Sequence, residues 1–234
     1  MSEARRLYDS TAHSYDKRHD NPTARYMRKV EEKLLKKYAK GLTLDIGCGT
    51  GVHLPLLKNA IGLDVSHNML KEARKKIDMP LIQANAEELP FSDSSIDSAI
   101  CMFTVLNLCD FHAAVKEIHR VLKQNGTAIV SVASVWDRYD KRIWQKAKDT
   151  GSVRKSIRIE GFRINFHLFG RKDFIELFRQ NGFRKVDFHA LFTLQKSYWG
   201  WYRDFTLLEK IKLKADYVVP HRAGRIYIGI FQKR

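Results

Sequence analysis

Apolar positions recur every three to four residues between residues 21 and 40. Tyr26, Val30, Leu34 and Leu35 fall on one side and lysines on the other. That period predicts a helix, with Pro22 in its first turn and Gly41 just past its end. The pattern then changes to short apolar runs at 42–46, 60–65, 80–84, 96–103 and 126–132. Between several of them lie segments of helical period, at 52–57, 67–76 and 110–122. The runs are apolar on both faces, as strands covered on both sides must be. Strands alternating with helices pair in parallel through right-handed crossovers. Beyond residue 132 the alternation loosens. Residues 136–150 have a basic helical pattern, and 151–170 are irregular or weakly extended. A helix at 172–180, a strand at 183–191, a helix at 197–213 and a last strand at 225–231 complete the reading. The expectation is a doubly wound α/β fold, a mostly parallel seven-stranded sheet with helices on both faces and helical cap elements.

The chain's 234 residues fit one large α/β domain, and no linker divides them. No stretch approaches the ~20 apolar residues of a membrane span. Near the start, Arg5 and Arg6 are followed by Asp9, His13 and Asp16 instead of an apolar signal core. Three cysteines, none in C-x-x-C spacing, make no disulfide framework, so a reducing cytoplasmic setting is expected. The charge changes the picture more. Residues 1–135 hold 19 basic and 16 acidic residues, while 136–234 hold 23 and 10. Of the aromatic residues, 7 precede residue 136 and 19 follow it. A basic, aromatic second half suits a partner with negative charge, flat groups or both. A well-packed aromatic core with solvated lysines outside would give the same composition.

The chemistry concentrates in Leu44-Asp45-Ile46-Gly47-Cys48-Gly49-Thr50-Gly51, placed between a strand and a helical segment. Glycines there let the backbone turn sharply and let a ligand approach the main chain. Asp64 ends the next strand, where a carboxylate can accept hydrogen bonds from a ribose diol. A dinucleotide fingerprint needs G-x-G-x-x-G, but the sixth position here is Val52. Asp45 would repel a pyrophosphate and would suit an ammonium group. S-adenosylmethionine carries an ammonium, a ribose and a sulfonium.

Asp45-Ile46-Gly47-Cys48-Gly49-Thr50-Gly51 resembles motif I of class I S-adenosylmethionine-dependent methyltransferases, the group that includes the ubiquinone/menaquinone-biosynthesis enzymes. Tyr8-Asp9, Ala12 and Tyr15-Asp16 are similar to that family's Y-D-x-x-A-x-x-Y-D segment. Gly62-Leu63-Asp64-Val65-Ser66, with Met69-Leu70 and Ala73, is similar to motif II. Ala84-Asn85-Ala86-Glu87-Glu88-Leu89-Pro90-Phe91 resembles the D-A-E-x-L-P-F stretch, with Asn85 standing where the family usually has Asp. Ile96-Asp97 resembles the F-D that opens the fourth strand.

The resemblance implies a Rossmann-like methyltransferase fold and S-adenosylmethionine as cofactor. It implies that Gly47, Gly49 and Gly51 pack under the methionine and ribose, with Cys48 between them in the cofactor-binding loop. With no histidine-based dyad evident nearby, Cys48 reads as a small buried filler and not a nucleophile. Asp45 would meet the ammonium, directly or through water, and Asp64 the ribose hydroxyls, with Val65 following in motif II. Asn85 and Ala86 would read the adenine edge, Phe103 would lie beside the cofactor, and Tyr15 would close over it. Residues 1–40 would form an N-terminal cap on a domain spanning 41–234, with cap insertions at about 136–170 and 192–220. Those insertions carry Trp136, Tyr139, Trp144, Tyr198, Trp199, Trp201 and Tyr202 among many lysines and arginines. They would cover the acceptor. A base is needed only if the acceptor loses a proton in the transition state. His13 and His167 are the candidates, and no metal-ligand spacing is evident. Three functions remain open: methylation of a small or lipid-like acceptor, methylation of RNA such as tRNA, and a non-catalytic adenosylmethionine-binding module.

Overall fold

The computed structural model describes residues 2–103, 105–136, 141–193, 206–215 and 224–234. In chain order the first half runs α1 (Glu3–Thr11), a 3-10 turn (Ala12–Ser14), α2 (Tyr15–Arg18), α3 (Pro22–Tyr38), β1 (Thr43–Ile46), β2 (Ala60–Asp64), α4 (His67–Arg74), β3 (Leu81–Gln83), β4 (Ile96–Cys101), α5 (Val105–Leu108), α6 (Phe111–Val121) and β5 (Leu122–Ala133). The second half runs α7 (Lys141–Thr150), β6 (Val153–Ile159), β7 (Phe162–Leu168), α8 (Arg171–Gln180), β8 (Phe183–Leu191), α9 (Leu207–Ala215) and β9 (Ile226–Lys233). Helix starts are set by short polar side chains. Asn21 accepts from the Ala24 N–H at 3.0 Å, and Asp110 accepts from the amides of His112 and Ala113.

Seven strands form one sheet in the order β3-β2-β1-β4-β5-β9-β8. β9 runs antiparallel to both its neighbours, and the other pairings are parallel. Helices cover both faces. On one, Val115 and Ile118 of α6 and Phe174 and Phe178 of α8 join a core with Leu44 and Val130. On the other, Met27 and Leu34 of α3, Leu70 of α4 and Leu213 of α9 pack with Ile100 and Ile129. β1 lies between β2 and β4, so the chain winds outward in both directions from it. A crevice opens at the carboxyl ends of strands where the order reverses in this way.

Several expectations need correction. Residues 52–57 form no α-helix, only a 3-10 turn at Leu54–Leu56, because Pro55 lacks an N–H and Leu57 is already extended. Residues 151–170, expected to be irregular or weakly extended, are well-formed strands: β6 and β7 pair in full register from Val153↔Leu168 to Ile159↔Phe162. Glu160 and Gly161 both take positive φ, 50° and 83°, the two-residue turn that suits hairpin twist. The described part of 136–170 is therefore a helix plus a β-hairpin. The N-terminal segment, which the sequence marks only by its motif, is helical in α1 and α2. In the segment expected as a helix at 197–213, the helix is described from Leu207 to Ala215, and residues 194–205 lie outside the described residues. Tyr139, Tyr198, Trp199, Trp201 and Tyr202 also lie outside them.

The second half owes much of its aromatic content to packing. Phe178 of α8 stacks on Phe231 of β9 with centroids 4.0 Å apart, and Phe174 meets both rings edge-on. Phe178→Ala should therefore destabilise the fold by about 3–5 kcal/mol. Urea denaturation should show a lower midpoint with an unchanged slope. A loss under about 1 kcal/mol would mean that the face is not closely packed.

Candidate functional site

The glycine loop leaves β1 and is tied to β2. The amides of Gly47 and Cys48 donate to the Leu63 carbonyl at 2.7 and 2.9 Å. Gly49 N–H donates to Asp64 Oδ2 at 2.8 Å, and Ser66 N–H donates to Asp64 Oδ1 at 2.8 Å. Asp64 thus fixes the loop and the start of α4 together. Gly49 has φ of +55°, and a Cβ built on it meets no atom within 4 Å. It forms an open cradle in left-handed backbone that favours glycine. Gly51 differs: a Cβ there would meet Ile77 at 2.9 Å, so its role is close packing behind the loop.

The N-terminal segment is latched across this loop by two aspartates. Asp9 Oδ1 accepts from Ser66 Oγ at 2.6 Å and from the Asn68 amide at 3.2 Å. Asp16 accepts from Thr50 Oγ1 and from Lys76 Nζ, each at 2.6 Å. Partial burial works against the Asp16 charge, but these donors hold its carboxyl below the usual range. Tyr8 and Tyr15 are thereby brought edge to face, with centroids 6.2 Å apart. Arg18 extends the tie to the hairpin through a 2.9 Å ion pair with Glu160.

Two cavities lie under the segment. The first, about 440 Å³, is lined by Gly47, Gly49, Asp64, Val65, Asn85 and Ala86, with Arg5, Met69, Glu87 and Met102. Its volume is within the ~300–1,000 Å³ typical of small-molecule sites. The second, about 250 Å³, lies between the N-terminal segment, β5 and the hairpin. Leu7, Ile157, Phe166, Leu168 and Ile226 give it apolar walls, and Arg18, His19, Lys155 and Glu160 give it polar groups. Tyr8, Tyr15 and Phe103 line both. Phe103 holds φ of +57°, and its amide donates to Ser131 Oγ at 2.6 Å. A bulky residue in left-handed backbone is strained, and such strain concentrates at functional sites.

Of the residues singled out in the sequence, Tyr15, Gly47, Gly49, Asp64, Val65, Asn85, Ala86 and Phe103 line the first cavity. Asp45, Cys48 and Gly51 sit outside its lining. Asp45 is fully buried, and neither carboxylate oxygen has a hydrogen-bond partner. Burial raises its pKa to about 6; His53 opposes the shift, and Asp64 and Glu31 add to it. Cys48 is buried, and burial holds its thiol protonated. Asn85 Oδ1 accepts from the Glu87 amide at 3.2 Å, an Asx turn that leaves the oxygen a second lone pair.

The two histidine candidates fare differently from a third. His13 is exposed and lines neither cavity. His167 packs between Phe111 and Phe169 at 4.4 and 4.5 Å, and burial with the nearby Arg154 charge pushes its pKa down to about 4. His19, which the sequence does not single out, lines the second cavity. It stacks on Tyr15 at 4.1 Å, and its Nδ1 lies 2.8 Å from the Tyr15 carbonyl. A carbonyl accepts only from N–H, so Nδ1 carries the proton and Nε2 is the acceptor in the neutral ring. Burial, with Arg18 and Arg28, holds its pKa below the usual histidine value, against the opposing Tyr15 bond and Asp16 charge. Its position just beyond the matched motif carries no signal in the sequence.

Residues 44–130 match a methyltransferase domain family model. An uncharacterized Methanocaldococcus jannaschii protein is 38% identical over 192 residues, 76% of this chain and 75% of that one. The demethylmenaquinone methyltransferase of Staphylococcus aureus is 33% identical over 139 residues, 53% of this chain and 57% of that enzyme. An S-adenosylmethionine-dependent methyltransferase structure from Thermotoga maritima shares the fold at a TM-score of 0.68 and 23% identity. The match covers 98% of this chain and 99% of that one. The glycine loop, the sheet order and these likenesses define a methyl-group transferase. The chain belongs to the class I S-adenosylmethionine-dependent methyltransferases.

The latch carries its own prediction. Asp9→Ala/Asp16→Ala should speed amide exchange across residues 2–20 by at least about fivefold, the loss of partly exposed charge-assisted bonds worth about 1 kcal/mol. Exchange in β4 and β5 should stay unchanged. Equal protection of residues 2–20 in both proteins would show that the aspartates do not hold the segment.

Proposed function

We propose that this chain transfers the methyl group of S-adenosylmethionine to an acceptor whose reacting part is a flat, ring-sized group seated in the second cavity. The observation that carries this reading is the meeting of the two cavities at Tyr8, Tyr15 and Phe103. S-adenosylmethionine, when bound, supplies a sulfonium-activated methyl group. Gly47 and Gly49 give its methionine and ribose a backbone floor, with Cys48 and Gly51 shaping the loop from behind. Asp64 accepts from the ribose hydroxyls, and Val65, Asn85 and Ala86 frame the adenine. The orphaned, buried Asp45 carboxylate attracts the ammonium through water, which fits a cationic group and not a pyrophosphate. An apolar cavity of about 150 Å³ holds a benzene ring, so about 250 Å³ suits one substituted ring.

The residues around the junction position the acceptor, exclude water and move a proton. Aligning acceptor and methyl can supply ~7–11 kcal/mol of the barrier. The aromatic walls of Tyr8, Tyr15 and Phe103 keep the junction dry and favour a cation. His19, and not His13 or His167, is the base: neutral, with Nε2 free to accept a proton from an acceptor O–H or N–H. The N-terminal segment within residues 1–40 and the hairpin within 136–170 cap the acceptor, on a domain spanning 41–234; most of the expected cap at 192–220 lies outside the described residues. No helix among the described residues is long and apolar enough to cross a membrane. The cytoplasmic setting in this reading rests on the cysteines, three with none in C-x-x-C spacing, which suit a reducing compartment. A second reading, in which RNA carries the acceptor group, is favoured by hairpin arginines that have no partner among the described residues.

Two outcomes test this reading. An acid with a pKa of about 6 is charged above pH 6 and neutral below, whereas the ligand ammonium stays charged across that range. Affinity for S-adenosylmethionine should be full at pH 7.5 and fall about threefold to tenfold by pH 5, as a buried charge attraction is lost. Asp45→Asn should flatten the calorimetric profile, and a wild-type profile that is already flat would remove Asp45 from the ligand's surroundings. His19→Gln should leave that affinity within about twofold while slowing tritiated methyl transfer into cell-extract small-molecule and RNA fractions by about 10²–10⁴. Transfer at the wild-type rate would exclude His19 as the base, and absence of transfer by the wild type would favour a binding module.

A further inference from the structure

The β6–β7 hairpin has two unlike faces. Residues directly opposite in an antiparallel pair share a face. Lys155↔Phe166, Ile157↔Ile164 and Val153↔Leu168 therefore lie together, and this face supplies wall residues of the second cavity. The reverse face carries Arg154↔His167, Ser156↔Asn165 and Arg158↔Arg163. Arg154, Ser156, Arg158, Arg163 and Asn165 all reach solvent. Arg158 and Arg163 sit directly opposite one another, an arrangement that costs stability because like charges repel. Among the described residues nothing offsets that cost: Arg154, Arg158 and Arg163 have no hydrogen bond or ion pair there. The one acid in the turn, Glu160, is engaged by Arg18.

We propose that this outer face of the hairpin is a docking surface for the phosphate backbone of RNA, whose nucleobase is the group presented to the second cavity. The inference rests on the transferase reading for the role of that cavity, while the docking itself does not require turnover. Three guanidiniums on one ribbon match a polyanion in charge and in bidentate donor geometry. The intervening Ser156 and Asn165 are polar donors, where a bilayer-binding face would present apolar side chains. On the cavity side, Tyr8, Tyr15, Phe103 and Phe166 offer the aromatic walls on which single-stranded bases stack. The ribbon thus serves two parts of one RNA strand, phosphates on its outer face and, where the strand passes its edge, a base in the cavity on the other.

The experiment uses the full chain and two probes, a fluorescent unmodified tRNA transcript and anionic phosphatidylserine/phosphatidylcholine vesicles. Arg154→Ser/Arg158→Ser/Arg163→Ser is compared with Lys29→Ser/Lys58→Ser/Lys185→Ser, which removes the same charge from sites elsewhere on the surface. The wild type should bind tRNA. The arginine variant should bind at least ~10-fold more weakly at 0.1 M salt, with its log–log salt slope shallower by about 2 to 3, near 0.9 for each phosphate no longer neutralised. The lysine variant should stay within about threefold of wild type. No tRNA binding by the wild type, equal weakening by the two variants, or tighter binding to the vesicles than to tRNA would each overturn the proposal. Calorimetric binding of S-adenosylhomocysteine by the arginine variant separates this failure from failure of the transferase reading.

Discussion

The carboxylate of Asp64 is the point on which the site depends. It ends β2 nearly buried, 9% exposed, and accepts one backbone N–H from the glycine loop and another from the start of α4. Burial raises its pKa, and the bonds from Ser66 and Gly49 favour the charged form against that. Without those donors a buried carboxylate would be costly. With them, two loops from different crossovers are held at a fixed distance across the switch point of the sheet. The same Ser66 passes the restraint outward, because its hydroxyl donates to Asp9 in the N-terminal segment. A continuous path of hydrogen bonds runs from the glycine loop through Asp64 and Ser66 to the cap.

The cap makes two cavities out of one crevice. Its helices α1 and α2 lie over the strand ends, tied to the start of α4 by Asp9, to the glycine loop by Asp16 and to the hairpin by Arg18. Tyr8 and Tyr15 project from this segment, and Phe103 rises from the end of β4 in a strained backbone conformation. These three rings are the boundary that a transferred group would cross. The side nearer the glycines is rich in backbone donors and carboxylates. The side nearer the hairpin is mainly apolar, with polar groups contributed by His19, Arg18, Lys155 and Glu160. The two cavities thus differ in chemistry as well as in position, as the proposed donor and acceptor sides of a group transfer require.

Much of the sheet and the glycine loop is legible in the sequence, because both rest on local rules. Apolar runs of strand length between amphipathic helices allow few arrangements, and Asp64 at a strand tip beside G-x-G-x-G implies a ligand on the backbone. What is not legible depends on long-range partners. The hairpin reads as irregular or at most weakly extended because Arg154, Lys155, Arg158 and Arg163 mask the alternation of Val153, Ile157, Phe162 and Ile164. Its Glu-Gly turn is also a weaker signal than Asn-Gly. His19 is silent in the sequence because its chemistry comes from the Tyr15 carbonyl and from burial, neither visible in a composition or a spacing. His13 and His167 fail as cavity residues for the opposite reason: histidine is common in the chain, and only packing distinguishes a solvated ring from one clamped between Phe111 and Phe169. The motif sets Asp45 near the ligand's ammonium, directly or through water, but its burial with both oxygens unpartnered is visible only in the fold.

The skewed composition divides into two causes once the fold is known. The phenylalanines of α8, β8 and β9 are core residues, so much of the aromatic excess belongs to packing. The hairpin arginines are not explained by packing or pairing, and they are what remains of the case for a polyanionic partner. Both causes leave the central claim unaffected, which is that Asp64 and the glycine loop form the seat for the adenosyl ligand. Calorimetric titration of wild type and Asp64→Ala with S-adenosylhomocysteine, and of wild type with NAD, tests it most directly. The account predicts micromolar binding by the wild type, at least about tenfold weaker binding by the variant for the loss of charge-assisted bonds worth ~1.5 kcal/mol, and no binding of NAD. Equal affinity of the two proteins, or a preference for NAD, would contradict it.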